Sequence, residues 1–386
     1  MAGPLFRELA EGLSEKMTEG CVLYTGHPDT LALKGKVPEA LKIEAAPAYD
    51  RTSKFKRLFS WIKYLIASSR YILGSKERDA FVLVSNPPFL GIWFWLLSFI
   101  KKRPYILLVY DIHPDALVQM GFLSPNSIIV KIWRWFNAKV YRDAQKVITL
   151  GDIMSQRLMM QFVAKPDQVE VIPPWVDVGF IKPVAYEENP LSNEFNPNKK
   201  TVVLYSGNMG ISHDIDSMLD AALLLRDRED IVFIFIGLGE KWNDAKLFAK
   251  KHGLGNVKVF PFQAEDRLPY TITLGAISLV ALDQGAEELM VPSKVFYYLA
   301  AGSSIIGICQ GQNELQNVID NCECGICIPP KSPNLLAQEI ASLVDDRSRL
   351  LDFQKNARNA AVKYYSRPIG INKFVSVFRS AGIMKL

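Results

Sequence analysis

Short apolar runs alternate with longer amphipathic stretches along most of the 386 residues. In the first half the runs are FVLVS (81–85), YILLVY (105–110), KVITL (146–150) and VEVI (169–172). Their length, β-branched content and turn-forming boundaries predict buried strands. Between them, helical spacing covers 4–17, 89–100, 127–143 with Trp133 and Trp135, and a helix opening at Asp152, a good N-cap type. The second half repeats the alternation. TVVLYS (201–206), IVFIFIG (231–237), VKVF (257–260), ISLVAL (277–282) and SIIGIC (304–309) are the strands. Helices are expected over 215–226, 242–252, the stretch after Pro292, 333–344, 346–364 and the residues after Arg367-Pro368. Strands alternating with helices mean parallel sheets in an α/β layer, and the chain is too long for one ordinary core. The pattern therefore predicts two Rossmann-like domains facing a cleft. PVAYEENPLSNEFNPNKK (183–200) is polar, aperiodic and rich in Pro and Asn, which suits a linker. The expected division is 1–182, 183–365 and a C-terminal segment, 366–386, whose helix crosses back to the first domain. The first strand candidate is CVLYT (21–25), preceded by a helix, so the expectation is either a first domain without the strand and glycine turn with which such domains open or a chain that begins late.

Charge sharpens this picture. Residues 1–180 carry 23 Lys and Arg against 17 Asp and Glu, whereas 181–386 carry 22 against 23. The basic surplus belongs to the first half and suggests an anionic ligand or surface there, at a level too low for nucleic acid. It concentrates in 51–78, with eight basic residues and one acid, and Leu58, Trp61, Ile62, Leu65 and Ile66 recur at helical spacing. A basic amphipathic helix with tryptophan suits a membrane surface; a core-facing helix with a solvated basic face is the alternative. The apolar run FLGIWFWLLSFI (89–100) is too short to cross a bilayer, which takes about 20 residues. An odd cysteine count and a charged start without an apolar signal core suggest a reducing, cytoplasmic setting.

Several motifs carry candidate chemistry. YSGNMG places Gly207, Asn208 and Gly210 between a strand and a helix, where backbone N–H groups approach phosphate; a tight turn is the plain reading. IGLGEK (236–241) shares that ambiguity. In VPSKVFYYLAAG, Pro292 and Ser293 suit a helix start, and Lys294 then sits in the first turn, where a cation opposes the helix dipole. An anion held between dipole and ammonium resolves that conflict. Glu287 and Glu288 lie just upstream in a glycine-containing loop, a place for contacts to a ligand's hydroxyls. YDIHPDAL crowds Asp111, His113 and Asp115 at a strand's carboxyl end, which suits hydroxyl binding or proton transfer, though an Asp there also caps helices. Cys322, Cys324 and Cys327 have no nearby histidine, so NCECGICIPP reads as a hairpin-like turn at Gly325 leading into a strand, and no metal site is expected.

Taken in order, YDIHPDAL, VIPPWVD (171–177), YSGNMG, FPFQAEDRLPY (260–270) and VPSKVFYYLAAG resemble the GT-B glycosyltransferases of family 4, especially the bacterial branch that builds lipid-linked surface polysaccharides. The resemblance covers nearly the whole chain. It implies retaining transfer from a nucleotide sugar, UDP-linked, without a metal or other cofactor. The Gly207–Gly210 loop, Pro292, Ser293 and Lys294 would hold the diphosphate, and Phe262 with its neighbours would face the base. Arg267 would add positive charge. Glu287 or Glu288 would touch the donor sugar, and Asp111 and His113 would face a lipid-linked or glycan acceptor. The protein would then work peripherally on the inner face of a membrane. In the family a pair of glutamates often stands eight positions apart; the second falls here on Tyr297. A catalytically weakened relative serving as a partner in polysaccharide assembly is the first alternative. Another two-domain nucleotide enzyme is the second, although a dehydrogenase fingerprint at Gly237 and Gly239 lacks its third glycine, position 242 being Trp242.

Overall fold

The structure is a computed structural model and describes residues 2–17, 20–26, 37–50, 52–119, 121–162, 165–210, 213–282 and 291–383. Its contacts divide the chain into two units, Met1–Pro173 with Pro368–Leu386, and Pro174–Arg367.

The first unit opens with helix α1 (Ala2–Ser14), strand β1 (Cys21–Thr25), strand β2 (Leu41–Ala45) and helix α2 (Lys54–Gly74). There follow β3 (Phe81–Val84), α3 (Leu90–Leu97), β4 (Tyr105–Leu108), a short α4 (Asp115–Gln119), α5 (Ile128–Asp143), β5 (Lys146–Thr149), α6 (Asp152–Phe162) and β6 (Val169–Val171). Strands β3 to β6 form a parallel sheet in chain order. Strands β1 and β2 pair with each other in a separate two-stranded parallel sheet. The half-polar strand LKIEA (41–45) carries too little apolar signal to be expected from the sequence, yet it is the partner of CVLYT. β4 is buried along its whole length, as a central parallel strand should be.

The second unit holds α7 (Ser192–Phe195), β7 (Thr201–Asn208), α8 (Ile215–Leu224), β8 (Ile231–Leu238), α9 (Glu240–Lys251), β9 (Val257–Pro261), α10 (Leu268–Ile272), β10 (Ile277–Ala281), α11 (Lys294–Ala301), β11 (Ser304–Ile308), α12 (Glu314–Cys322), β12 (Gly325–Ile328), α13 (Pro333–Asp345) and α14 (Arg347–Tyr364). Its six strands run in the order β12-β11-β10-β7-β8-β9, all parallel. This is a doubly wound sheet whose strand order reverses between β7 and β10, and crevices for ligands form at the carboxyl ends of strands at such a point. Apolar clusters fill the unit; one packs Phe296, Tyr298 and Leu299 of α11 with Leu204 and Ile305, another joins Phe233, Phe235, Leu279 and Leu336.

Three expectations need correction. Residues 183–200 are not a free linker: Phe195 is fully buried in the second unit, and Asn189 donates to Tyr270 O at 2.8 Å. The division falls at Pro173–Pro174 because Val176 and Ile181 already belong to that core. The Cys-rich stretch is not a hairpin: Gly325 starts β12, parallel to β11, and an added Cβ there would lie 1.8 Å from Ile305 O. The helix after it in expectation is also preceded by α12, whose cap Asn313 accepts from Gln316 N. Helix α15 (Arg367–Ser380) opens on Arg367-Pro368, and its residues from Pro368 on belong to the first unit. There Gly12 leaves room for Ile371, whose Cδ1 would be 2.4 Å from an added Cβ.

Candidate functional site

A polar cluster of the second unit sits at the reversal point, where β7 ends in Ser206, Gly207 and Asn208. Lys294, the first residue of α11, points its Nζ at Tyr205 OH, 3.0 Å away, and lies 4.1 Å from the centre of the same ring. A Cβ on Gly207 would be 3.5 Å from that Nζ, so the ammonium rests close over the main chain at the strand end. Gly207 has φ +135°, outside the range of ordinary side-chain-bearing residues. Its register partner Gly237 is required for a different reason: a Cβ there would fall 1.8 Å from Gly207 O. Glycine in both strands lets their ends close on one another.

Aromatic hydroxyls hold this turn. Tyr298, one helical turn beyond Lys294 and buried, accepts from Ser206 N at 2.8 Å and donates to Ser206 O at 3.3 Å. Tyr205 OH accepts from the ammonium and donates to Asn208 O at 2.7 Å, with His213 Nδ1 3.0 Å away. His213 Nδ1 also meets Asn208 O at 2.8 Å. Lys241 Nζ donates to His213 O at 2.9 Å and pairs with Asp216 at 2.6 Å, and Met209 N donates to Leu238 O. The result is a backbone corner that carries the Lys294 ammonium at the start of α11, with Lys241 of α9 bound to His213 O and Asp216 beside it. The hydroxyl and the ring face partner the ammonium where the helix dipole disfavours it.

The other expected donor-side residues are placed less uniformly. Gly207 and Asn208 lie at the corner and Gly210 follows it. Pro292 O accepts from Val295 N at 3.1 Å. Ser293 takes helical angles (φ −55°, ψ −25°) and makes no capping hydrogen bond, so its hydroxyl is not used as the sequence suggests. Arg267 is not brought to Lys294's corner as free charge: it follows the edge strand β9, pairs with Glu194 and stacks 5.7 Å from the Phe195 ring. Phe262 is exposed just after β9, while Phe260 O accepts from Trp242 Nε1 at 2.9 Å. Glu287 and Glu288 lie outside the described residues. Among the described residues no group of three or more His, Cys, Asp or Glu side chains is arranged to hold a metal ion.

In the first unit, Asp111 and His113 follow β4 and line one cavity of about 30 Å³ with Ser85, Asn137 and Tyr141, room for about one water. Ser85 Oγ accepts from Tyr110 N at 3.0 Å and Asp111 N at 3.1 Å, fixing the turn. Asn137 Nδ2 donates to His113 O at 2.6 Å, and the imidazole stacks on Trp133 at 6.1 Å. Burial pushes the Asp111 carboxyl up and the His113 imidazole down; their mutual attraction opposes both shifts. A neutral imidazole beside a carboxyl of raised basicity suits proton exchange with a hydroxyl. Asp115 does not join them as a free carboxylate: it is buried at the start of α4 and paired with Arg134.

Sequence reasoning overlooked Tyr205 and Tyr298. The second was readable in principle, since Lys294 and Tyr298 stand at i and i+4 and share a helix face.

Residues 188–360 match the model of the family described as Glycosyl transferases group 1. WbjE of Pseudomonas aeruginosa, named as a glycosyltransferase, is 29% identical over 315 residues, covering 80% of this chain and 76% of its own. WcaI of Escherichia coli K12, named as a colanic acid biosynthesis glycosyl transferase, is 25% identical over 310 residues, with 78% and 76% covered. By these relatives the chain is a glycosyltransferase, and its residues 188–360 are similar to the group 1 glycosyl transferases. Its fold class is GT-B. The Anabaena enzyme HepE, solved with UDP and glucose, superposes with TM-score 0.72 at 14% identity over 98% of this chain and 96% of its own. Sucrose-phosphate synthase from Thermosynechococcus elongatus gives 0.73 at 15% identity, with 97% and 92% covered. Within this glycosyltransferase, the matched segment contains the corner of Gly207, Tyr205, Lys294 and Tyr298.

Proposed function

We propose that the enzyme transfers a hexose from a UDP-sugar, with retention of configuration and without a metal, to a lipid-linked or glycan precursor of a surface polysaccharide. The observation that carries this reading is Lys294 Nζ held over the Gly207 backbone at the reversal point of the sheet. As the bond from the anomeric carbon to the diphosphate breaks, negative charge grows on the leaving oxygen. A fixed ammonium and a helix start aimed at that charge lower the barrier without reorganising, the role a divalent cation fills elsewhere. Ser293 and the N–H groups around Gly207 and Gly210 would add hydrogen bonds to the phosphates, and Phe262 would meet the base. Asp111 and His113 would orient and relieve the acceptor hydroxyl of its proton.

The colanic acid name of one relative and the UDP-bound state of one structural neighbour favour a UDP donor and a polysaccharide product. The membrane side of the reading rests on α2. Phe55, Leu58, Phe59, Ile62 and Ile66 are exposed along it, beside Lys56, Arg57, Lys63 and Arg70. Among the described residues no helix is long and apolar enough to cross a membrane. A basic helix with an outward apolar stripe instead lies in the headgroup region. Incubating the protein with UDP-glucose and UDP-galactose in EDTA, and measuring UDP release with a prenyl-linked sugar acceptor, tests the reading. Acceptor-dependent release in EDTA supports it; a catalytically weakened partner protein would release none.

A further inference from the structure

One guanidinium of the second unit is used by no step above. Arg358 of α14 is half-buried, and among the described residues no carboxylate pairs with it. Its donors go to main-chain carbonyls instead. Nη1 donates to Ala300 O at 2.8 Å and to Ile181 O at 3.0 Å, and Nη2 donates to Val178 O at 3.0 Å. Burial lowers its pKa from the ordinary value, and no charge among the described residues opposes that shift. A neutral side chain of similar size would fill the same volume without burying a charge. What arginine adds is the connection between carbonyls from two separate parts of the unit.

Ala300 belongs to the last turn of α11, the helix whose first residue is Lys294. Helix ends leave carbonyls without partners. Here Gly302 N donates to Leu299 O, Ser303 N donates to Tyr298 O, and Arg358 serves Ala300 O. A cation is favoured at this end of the helix dipole, the reverse of Lys294 at the other end. Val178 and Ile181 lie just after Pro174, where the chain enters the second unit, and Ile181 is fully buried. The entering segment also pairs with the chain on its way out. Val176 N donates to Tyr365 O at 2.9 Å, and Arg367 N donates to Val176 O at 3.2 Å. The Tyr365 ring lies 5.0 Å from that of Phe296 on α11, centre to centre. Helix α11 thus meets the entering segment through Arg358 and the leaving one through Tyr365.

We propose that Arg358 is a positioning residue for the donor side of the reaction: it ties the carboxyl end of α11 to residues 178–181, and through that helix it sets where the Lys294 ammonium stands. This role deepens the proposed function and rests on Lys294 meeting the diphosphate. Lys294 and Ala300 share one helix of eight residues, whose hydrogen-bond ladder carries a shift at one end to the other. A single nitrogen holds both Ala300 O and Ile181 O, so a slide of α11 by one residue's rise, about 1.5 Å, breaks the pair.

Calorimetric titration of UDP, in EDTA, into the full wild-type chain, Arg358→Gln, Lys294→Ala and the double variant tests this. Arg358→Gln should weaken UDP binding by about tenfold, a part of what Lys294 contributes. On the Lys294→Ala background the same substitution should change the affinity by less than about twofold, because the residue through which it acts is gone. Arg358→Lys, which keeps a donor cation, should recover part of the loss. An arginine that only stabilised the fold would lower the melting temperature and weaken binding by the same factor on both backgrounds. A melting curve verifies each fold, and if Arg358→Gln unfolds, Arg358→Lys goes through the same four-protein comparison with a smaller loss expected. Equal weakening on both backgrounds, or none on either, overturns the proposal and leaves the reading of Lys294 standing. A wild type that ignores UDP, or UDP binding indifferent to Lys294→Ala, overturns that reading and this role with it.

Discussion

Lys294 Nζ donates to Tyr205 OH at 3.0 Å and lies 4.1 Å from the centre of its ring. The two residues come from α11 and β7, and they meet where the strand order of the sheet reverses. This contact holds an ammonium at the start of a helix, where the helix itself disfavours it. The proposed role for this corner is to meet the diphosphate of a nucleotide sugar.

The backbone beneath the ammonium depends on Gly237. Gly237→Ala would force a Cβ to within 1.8 Å of Gly207 O, and φ +159° offers no relief by rotation. Separating the ends of β7 and β8 should cost about 2–4 kcal/mol, within the range for overpacking plus backbone strain. Thermal melting should show the loss, and UDP binding should fall with it, because Gly207 moves.

Tyr298→Phe isolates the support of the turn from its charge. The substitution keeps the buried ring and removes the hydroxyl that accepts from Ser206 N at 2.8 Å. An N–H left without its partner costs about 1–3 kcal/mol. Denaturant unfolding should show that loss, with Lys294 untouched.

Much of this was legible in the sequence. The alternation of apolar runs and helices gave β7 to β11 of the second sheet, because parallel strands buried on both faces are almost wholly apolar, as β8, β10 and β11 are; β12 was expected only as a strand leaving a hairpin-like turn, and it pairs in parallel with β11 instead. Lys294 stood out because it contradicts the dipole of its own helix. What stayed hidden depends on register across strands. Nothing local marks Gly237 as the partner of Gly207, or Gly325 as the residue pressed on Ile305 O. LKIEA reads as polar and becomes a strand only by pairing with CVLYT. Arg267 looked available as charge until Glu194, from the stretch read as linker, proved to be its partner.

Acid should weaken the first unit through His113. Burial holds its folded pKa below the ordinary 6.5, so below that value the unfolded chain binds the extra proton and stability falls as the pH drops. Asp111 runs the other way: its raised pKa makes the protonated form favourable, so its contribution is present in acid and is lost as the pH rises through the folded value. His113→Gln should therefore flatten the fall in melting temperature between about pH 6.5 and pH 5, where histidine titration dominates. An unchanged slope would show that the imidazole is not held neutral.

The exposed stripe of α2 makes a separate prediction. Phe55 is 86% exposed, so Phe55→Ser together with Phe59→Ser should leave the melting temperature unchanged. In a vesicle sedimentation assay with anionic lipid, the double substitution should cut binding by about tenfold or more, as two aromatic side chains no longer enter the interface. Raising the salt should weaken the wild type further through its lysines and arginines. Equal binding by both proteins would remove α2 from the membrane contact.

Titration of UDP into the wild-type chain and into Lys294→Ala, both in EDTA, tests the central claim most directly. The account predicts that the wild type binds UDP without any divalent ion. It also predicts that the variant, still folded, loses about 10- to 100-fold in affinity, the worth of a hydrogen bond to a charged group. Equal affinity in the two proteins, or binding that appears only when magnesium is restored, would contradict it.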